Sequence, residues 1–378
     1  MKIDTPTTLT PRPATVTGRQ SLSAAMVNAA RVASAHRAAP ATITGRGSRS
    51  AAGNSGGAFS AGRLFVDISF TVTDQGCAYV GGVQAAEDRD GDGLVANVID
   101  ITDPADARVD DFRHLNSVDR RPDLPTGKGL VIAEGVLVVQ RMLASRFTPH
   151  AFLGTDRRLQ ELAADLAGVA VPYYRASAEV MAEIVGFHLN RGVLAAARRP
   201  AELGVADVLT GASTVAVLEG VNDHENLGSI FRNAAGLGVD AVVFGAGCAD
   251  PLYRRAVRVS MGHALLVPFA RAGSWPADLN IMRDNGFRLL AMTPSPQART
   301  LSEVIDELSD EKVAVLVGAE GPGLTETALR AADARVRIPM ARGTDSLNVA
   351  TAAALAFYER VRRVDDAAEG RGGGGARQ

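Results

Sequence analysis

Lysine is nearly missing from this chain. Of its 40 Lys and Arg residues only Lys2, Lys128 and Lys312 are lysine. Positive charge therefore rests on arginine, whose planar guanidinium suits bidentate contact with phosphate, but the bias runs along the whole chain and marks no one site. Cysteine is scarce too. Cys77 and Cys248 stand far apart, which excludes a disulfide framework and a Cys-rich metal centre and suits a reducing, cytoplasmic compartment. The six histidines are scattered, with no HExxH-type pair, so no metal is expected. No apolar run is long enough to span a bilayer, so no membrane is expected as a partner. A formal net charge of −2 excludes a uniformly basic nucleic-acid binder. Any RNA contact must come from local patches.

What is present is a core. The chain has 378 residues, 46% of them hydrophobic, enough for more than one domain. Residues 1–93 are expected to be mostly disordered. Up to about residue 63 they are rich in Ala, Ser, Thr, Gly and Arg with Asp4 as their one acid, a composition that buries little apolar surface. An Arg-rich, acid-poor start also resembles an organelle transit peptide, and a wrongly chosen start codon is a third reading. The Gly-rich tail, 365–378, is expected to be disordered as well.

Between these ends the pattern alternates. Residues 94–200 predict a small α/β unit, with strands at 130–133 and 151–154, an extended stretch at 169–174, and helices at 134–143, 159–166 and 178–185. Residues 198–208 read as a linker. Residues 201–364 predict a second α/β domain with strands at 215–219, 241–244, 265–268, 288–292, 313–317 and 336–339. Helices lie between them, and a last helix spans 346–363. Alternating β and α argue for a mostly parallel sheet covered on both faces.

Three segments carry candidate chemistry. The first follows the strand at 215–219 and opens a helix for which Asn226 is a good N-cap. Leu227, Ile230, Phe231, Ala234 and Ala235 share one face, and Arg232 projects away from it. The second runs from the apolar strand 313–317 into a turn with Gly318, Gly321 and Gly323 and one carboxylate, Glu320. The glycines permit tight turns and close backbone approach to a ligand, yet the turn matches neither GxGxxG nor GK[ST], so a Rossmann or P-loop phosphate site is not supported. The third passes from Ile338, Pro339 and Met340 through a small-residue loop to Ser346, Leu347 and Asn348. There Asp345 or Ser346 is expected to cap the last helix, with Leu347, Ala350, Ala354, Phe357 and Val361 as its buried stripe. All three lie at carboxyl ends of strands, where an α/β sheet places its ligand.

Together these segments resemble the three signature motifs of the SpoU (TrmH-like) family of RNA ribose 2′-O-methyltransferases, in the SPOUT superfamily. Asn226, Leu227, Gly228 and Arg232 meet the first motif, and residues 318–323 meet the second. Ile338, Pro339, Met340 and Ser346, Leu347, Asn348, Val349 meet the third. Ser260 and Gly262 also match the family, whereas His263 stands where a small residue is expected. The resemblance covers about 213–363. More weakly, 94–200 resembles the ribosomal-protein-like RNA substrate-binding domain that many members carry in front.

The resemblance implies a SPOUT α/β domain with a deep trefoil knot, a homodimer, S-adenosyl-L-methionine as cofactor and structured RNA as partner, ribosomal RNA ahead of transfer RNA. It implies that Gly318, Gly321, Ile338, Met340 and Leu347 hold the cofactor. Asn226, Arg232, Glu320, Ser346 and Asn348 would surround the reacting ribose. Arg232 is expected to clamp phosphate rather than to act as a base, because a guanidinium holds its proton strongly, and Glu320 is expected to orient Arg232 or the hydroxyl. Two other readings stay open: a non-catalytic RNA-binding protein on the same fold, and a SPOUT methyltransferase acting on a base nitrogen. Outside the motifs, Asp88, Asp90 and Asp92 resemble the start of a calcium loop, but Ile99 stands where its bidentate glutamate belongs. The basic runs around Arg254, Arg255 and Arg258 and around Arg191, Arg198 and Arg199 are candidate phosphate tracks.

Overall fold

In the computed structural model the described residues are 42–45, 68–73, 76–79, 97–113, 115, 128–308 and 311–372. The chain divides into two units, 1–91 and 92–378. In the first, β1 (Thr42–Gly45), β2 (Ile68–Thr73) and β3 (Gly76–Tyr79) pair antiparallel in that order. These short strands lie within the extension that the sequence reads as mostly disordered or uncertain. In β2, Ile68, Phe70 and Val72 alternate with Ser69, Thr71 and Thr73, a period-two pattern that the Gly- and Ala-rich surroundings mask. The stretch from Asp88 to Asp92 lies outside the described residues.

The second unit contains two sheets. One holds β4 (Val98–Asp100), β5 (Leu130–Glu134), β6 (Pro149–Gly154), β7 (Tyr173–Arg175) and β8 (Val193–Arg198), in the order β4-β7-β6-β8-β5. Pairs among β4, β7 and β6 are parallel, and β8 runs antiparallel to β6 and β5. β8 went unread in the sequence because its core is a run of alanines. It closes on Arg198, inside the expected linker. The rest of that linker is packed too: Leu203 bridges to Ala270, and the helix Val205–Leu209 buries Val205, Val208 and Leu209.

The other sheet holds β9 (Thr214–Leu218), β10 (Ala241–Phe244), β11 (Phe269–Arg271), β12 (Phe287–Met292), β13 (Arg299–Thr300), β14 (Lys312–Val317) and β15 (Ala334–Arg337). Its order is β11-β10-β9-β14-β12-β15-β13, with every pair parallel. The strand expected at 265–268 is displaced to β11. Met261 and Gly262 both have positive φ and turn the chain, and His263–Leu265 forms a 3-10 turn in its place.

The two sheets share one apolar cluster. Val138, Met142 and Phe147 from the first pack in the same cluster as Leu265, Val267 and Phe269 from the second. The residues near 200 thus lie between two sheets that meet in one apolar cluster, while each sheet keeps a second cluster of its own on the opposite face. A last helix, Val349–Gly372, lies against the helix His224–Gly236, the helix Leu301–Glu307 and β14. It starts later than the sequence predicts, and its buried face is Ala350, Ala353, Phe357 and Arg360 rather than the stripe through Leu347 and Val361. Arg360 is 4% exposed and donates to the Leu308 and Glu311 carbonyls at 2.9 and 2.5 Å, stapling the helix to the loop before β14.

Candidate active site

The carboxyl ends of β9, β12, β14 and β15 open on one edge of the parallel sheet, where the three motif segments gather. After β9, the side chain of Asp223 accepts from the Glu225 and Asn226 N–H groups at 2.9 and 2.8 Å and caps the helix His224–Gly236. The sequence places that cap on Asn226. With Asp223 in the role, the Asn226 amide is free to reach across the site. Two residues on, a Cβ at Gly228 would sit 2.8 Å from the Ala256 carbonyl and 2.8 Å from Val259 Cβ. Glycine there lets the helix Arg254–Val259 lie directly against this one.

After β14 the chain folds back on itself. The Gly323 N–H donates to the Ala319 carbonyl at 3.0 Å, and a Cβ on Gly318 would lie 2.1 Å from the Gly323 carbonyl carbon. Gly321 and Gly323 take positive φ, at 93° and 73°, which side chains oppose. The loop ends at Thr325, the N-cap of the helix Glu326–Ala331.

After β15, residues 341–348 are exposed. Neither Asp345 nor Ser346 caps the last helix. Asn348 does, its Oδ1 accepting from the Ala350 and Thr351 N–H groups at 3.0 and 3.2 Å. That leaves the Asn348 Nδ2 to donate to Asn226 Oδ1 at 2.7 Å, while Asn226 Nδ2 donates to Glu320 Oε2 at 3.2 Å. One residue from each of the three segments thus joins a single hydrogen-bonded chain, Asn348 to Asn226 to Glu320.

Beside this chain lies a cavity of about 130 Å³. Gly318, Gly321, Ile338, Met340 and Leu347, the five residues read as cofactor-holding, all line it, as do Glu320 and Ser346. Its remaining walls include Met292, Thr293 and Pro294, which the sequence reading missed. The signal was there: they follow a strand at the same carboxyl edge, but they carry no motif. Aliphatic and thioether walls beside glycine backbone suit a flat, partly apolar ligand with a few polar edges.

Arg232 is the one predicted residue that the structure does not bring to this cluster. Six positions beyond Asn226, it lies roughly 120° around the helix from it. It is exposed, and Glu320 is engaged by Asn226 in its place. Arg232 and Arg141 instead stand near His263, whose pKa is held below its usual value by burial first and by these two cations next. Arg141 donates to the Met261 carbonyl at 2.5 Å, so the first sheet's helix Val136–Leu143 reaches this corner. Much of the predicted basic surface is neutralised. Arg254 pairs with Glu134 at 2.7 Å, Arg199 with Asp250 at 2.5 Å, and Arg255 with Glu225. Among the described residues no group of three or more His, Cys, Asp or Glu could hold a metal ion. No described helix is long and apolar enough to cross a membrane.

Comparison with known proteins bears on this geometry. The SpoU rRNA Methylase family matches residues 213–358, the span of the parallel sheet and all three segments. The chain is 76% identical over 271 residues to an uncharacterized tRNA/rRNA methyltransferase of Mycobacterium bovis, covering 72% of this chain and 93% of that protein. Among solved structures, an RNA 2′-O ribose methyltransferase is similar with a TM-score of 0.56 at 27% identity, covering 70% of this chain and 99% of that one. An AdoMet-bound rRNA methyltransferase from Sinorhizobium meliloti shares the fold with a TM-score of 0.60 at 24% identity, covering 71% of this chain and 98% of that one.

Proposed function

The chain belongs to the SpoU rRNA methylase family, and we propose that it transfers a methyl group from S-adenosyl-L-methionine to a ribose 2′-hydroxyl of a structured RNA, ribosomal RNA ahead of transfer RNA. The observation that carries this reading is the hydrogen-bonded chain Asn348–Asn226–Glu320 beside a cavity lined by Gly318, Ile338, Met340 and Leu347. When bound, S-adenosyl-L-methionine supplies an electrophilic methyl group on a good leaving group. The protein's tasks are then to orient two reactants and to manage one proton.

A ribose hydroxyl is a weak nucleophile until its proton is drawn off. Glu320 keeps one carboxylate oxygen beyond its bond from Asn226 and accepts a hydrogen bond from the 2′-hydroxyl there. The second amide hydrogen of Asn348 and the Ser346 hydroxyl hold the sugar's other oxygens. Arg232, off the cluster and exposed, clamps the backbone phosphate next to the target. The loops around Gly318 and Gly321 present bare backbone N–H and C=O groups to the donor's polar edges, while Ile338, Met340 and Leu347 cover its apolar faces.

The chain path supports a knotted C-terminal part. β15 lies outside β12, yet the last helix returns past β14 to the helix after β9. A homodimer is part of the same reading, because Leu347, Leu355 and Tyr358 stand exposed at and along the last helix.

The test is methyl transfer from radiolabelled S-adenosyl-L-methionine to total RNA separated by size, followed by alkaline hydrolysis. We expect label in one RNA class, retained in an alkali-resistant dinucleotide because a 2′-O-methyl group blocks cleavage. Asn348→Ala should lower turnover by about 100-fold or more, the scale of losing a positioned donor at the reacting centre. Label in ordinary mononucleotides would move the target to a base. No label, with no donor binding, would make this an RNA-binding protein instead.

A further inference from the structure

Glu219 is buried at 5% exposure and forms no ion pair among the described residues, yet it neither lines the cavity nor joins the Asn348–Asn226–Glu320 chain. It stands one residue past β9, and its carboxylate is satisfied from two other loops. Oε1 accepts from the Trp275 indole N–H at 2.5 Å and from the Thr325 hydroxyl at 2.9 Å, and Oε2 accepts from the Thr325 backbone N–H at 2.8 Å. Thr325 ends the glycine loop that lines the cavity. Trp275 lies in the loop after β11, its ring so close to Gly245 that a Cβ there would fall 2.6 Å away. On the near side the Gly220 Cα faces Ala319, where a Cβ would come within 2.9 Å. The loop 318–325 is thus fixed at its start by β14 and at its end by Glu219.

We propose that Glu219 is a positioning residue that holds the far end of the 318–325 loop in the shape that binds the methyl donor, with Trp275 tied into the same anchor. This rests on the donor-binding reading above. The chemistry of the anchor is specific. All three groups facing the carboxylate donate, so both oxygens must accept. A glutamine has one accepting oxygen. In either amide orientation its NH2 confronts the Trp275 N–H or the Thr325 N–H, donor against donor. An acceptor lost in a buried site leaves a donor unsatisfied, which is costly.

Trp275 is the chain's one tryptophan, so its fluorescence reports this anchor alone. In the full-length protein, titration with S-adenosyl-L-methionine should shift that fluorescence and give a dissociation constant that calorimetry reproduces. In E219Q the donor constant should rise at least tenfold, with RNA affinity within about twofold of wild type. E219Q/W275F removes the indole N–H that opposes the new amide and should regain part of the lost donor affinity, measured by calorimetry. A general loss of packing predicts instead that the two losses add. T325V keeps the backbone bond and should weaken donor binding by a smaller factor, which serves if E219Q does not fold. Unchanged donor affinity in E219Q or in T325V would overturn the positioning role alone. A wild-type protein that binds no donor would overturn that role together with the reading it rests on.

Discussion

At the scale of single residues, His263 shows how a local environment writes a pH response. Burial, with Arg141 and Arg232 close by, lowers its folded-state pKa below the ordinary 6.5. Between those two values the unfolded chain binds the proton and the folded one does not, so stability rises with pH across that window and is constant on either side as far as this group is concerned. Acidification through 6.5 should therefore destabilise the wild type, and His263→Gln should flatten that part of the curve. Urea midpoints taken at half-unit pH steps measure it. An equal slope in the variant would assign the effect to other groups. His263 was legible in the sequence only as a departure from its family's pattern. Its cationic neighbours are Arg141 on the helix Val136–Leu143 and Arg232 on the helix His224–Gly236, and spacing along the chain reports neither. The same limit explains the site. Asn226, Glu320 and Asn348 were legible as residues, but their pairing was not. The sequence places the cap on Asn226, whereas Asp223 performs it, and it offers Arg232 or the hydroxyl as the partner of Glu320 with no sign of Asn226.

At the scale of elements, the periodic signal served best where burial is complete. β9, β10 and β14 lie where the sequence predicts them because both faces are covered and nearly every residue is apolar. The signal failed for β8, whose alanines suit helix or strand alike, and for β11, which two positive-φ residues push along the chain. Helix packing supplies a sharp contrast between two glycines of one helix. Alanine is favoured over glycine in a helix by about 1 kcal/mol at most, and at Gly236 an added Cβ meets nothing within 4 Å. Gly236→Ala should be neutral or stabilising by about 0.5 kcal/mol. At Gly228 the same methyl meets a backbone carbonyl and Val259 at 2.8 Å, and overpacking of this kind costs about 1–3 kcal/mol. Gly228→Ala should therefore lower the melting temperature while Gly236→Ala holds or raises it. If both variants melt alike, the close approach of the helix Arg254–Val259 is not what demands glycine in the first motif.

At the scale of the whole molecule, residues 92–378 hold two sheets that the sequence reads as two domains joined by a linker. Composition along the chain could not show that apolar faces on both sides of that linker meet. Phe147 and Phe269 pack in one cluster, and the Arg146 guanidinium sits 5.1 Å from the first ring and 5.7 Å from the second. Across the same seam, buried Glu134 at the end of β5 accepts from Arg254 at 2.7 Å, with Arg191 3.9 Å away. A shared core makes unfolding cooperative. Hydrogen exchange in increasing urea should expose peptides from β6 and from β9 at the same midpoint. Breaking a fully buried ion pair by removing one partner costs about 3–5 kcal/mol, and Arg254 is partly exposed and also lies over the Phe187 ring. Glu134→Gln should therefore cost less than that range, because the amide oxygen also still accepts a hydrogen bond. If the two sheets instead lose protection at separate midpoints in the wild type, the seam is an interface between independently folding domains. Glu134→Gln would then lower neither midpoint by the amount a shared core requires.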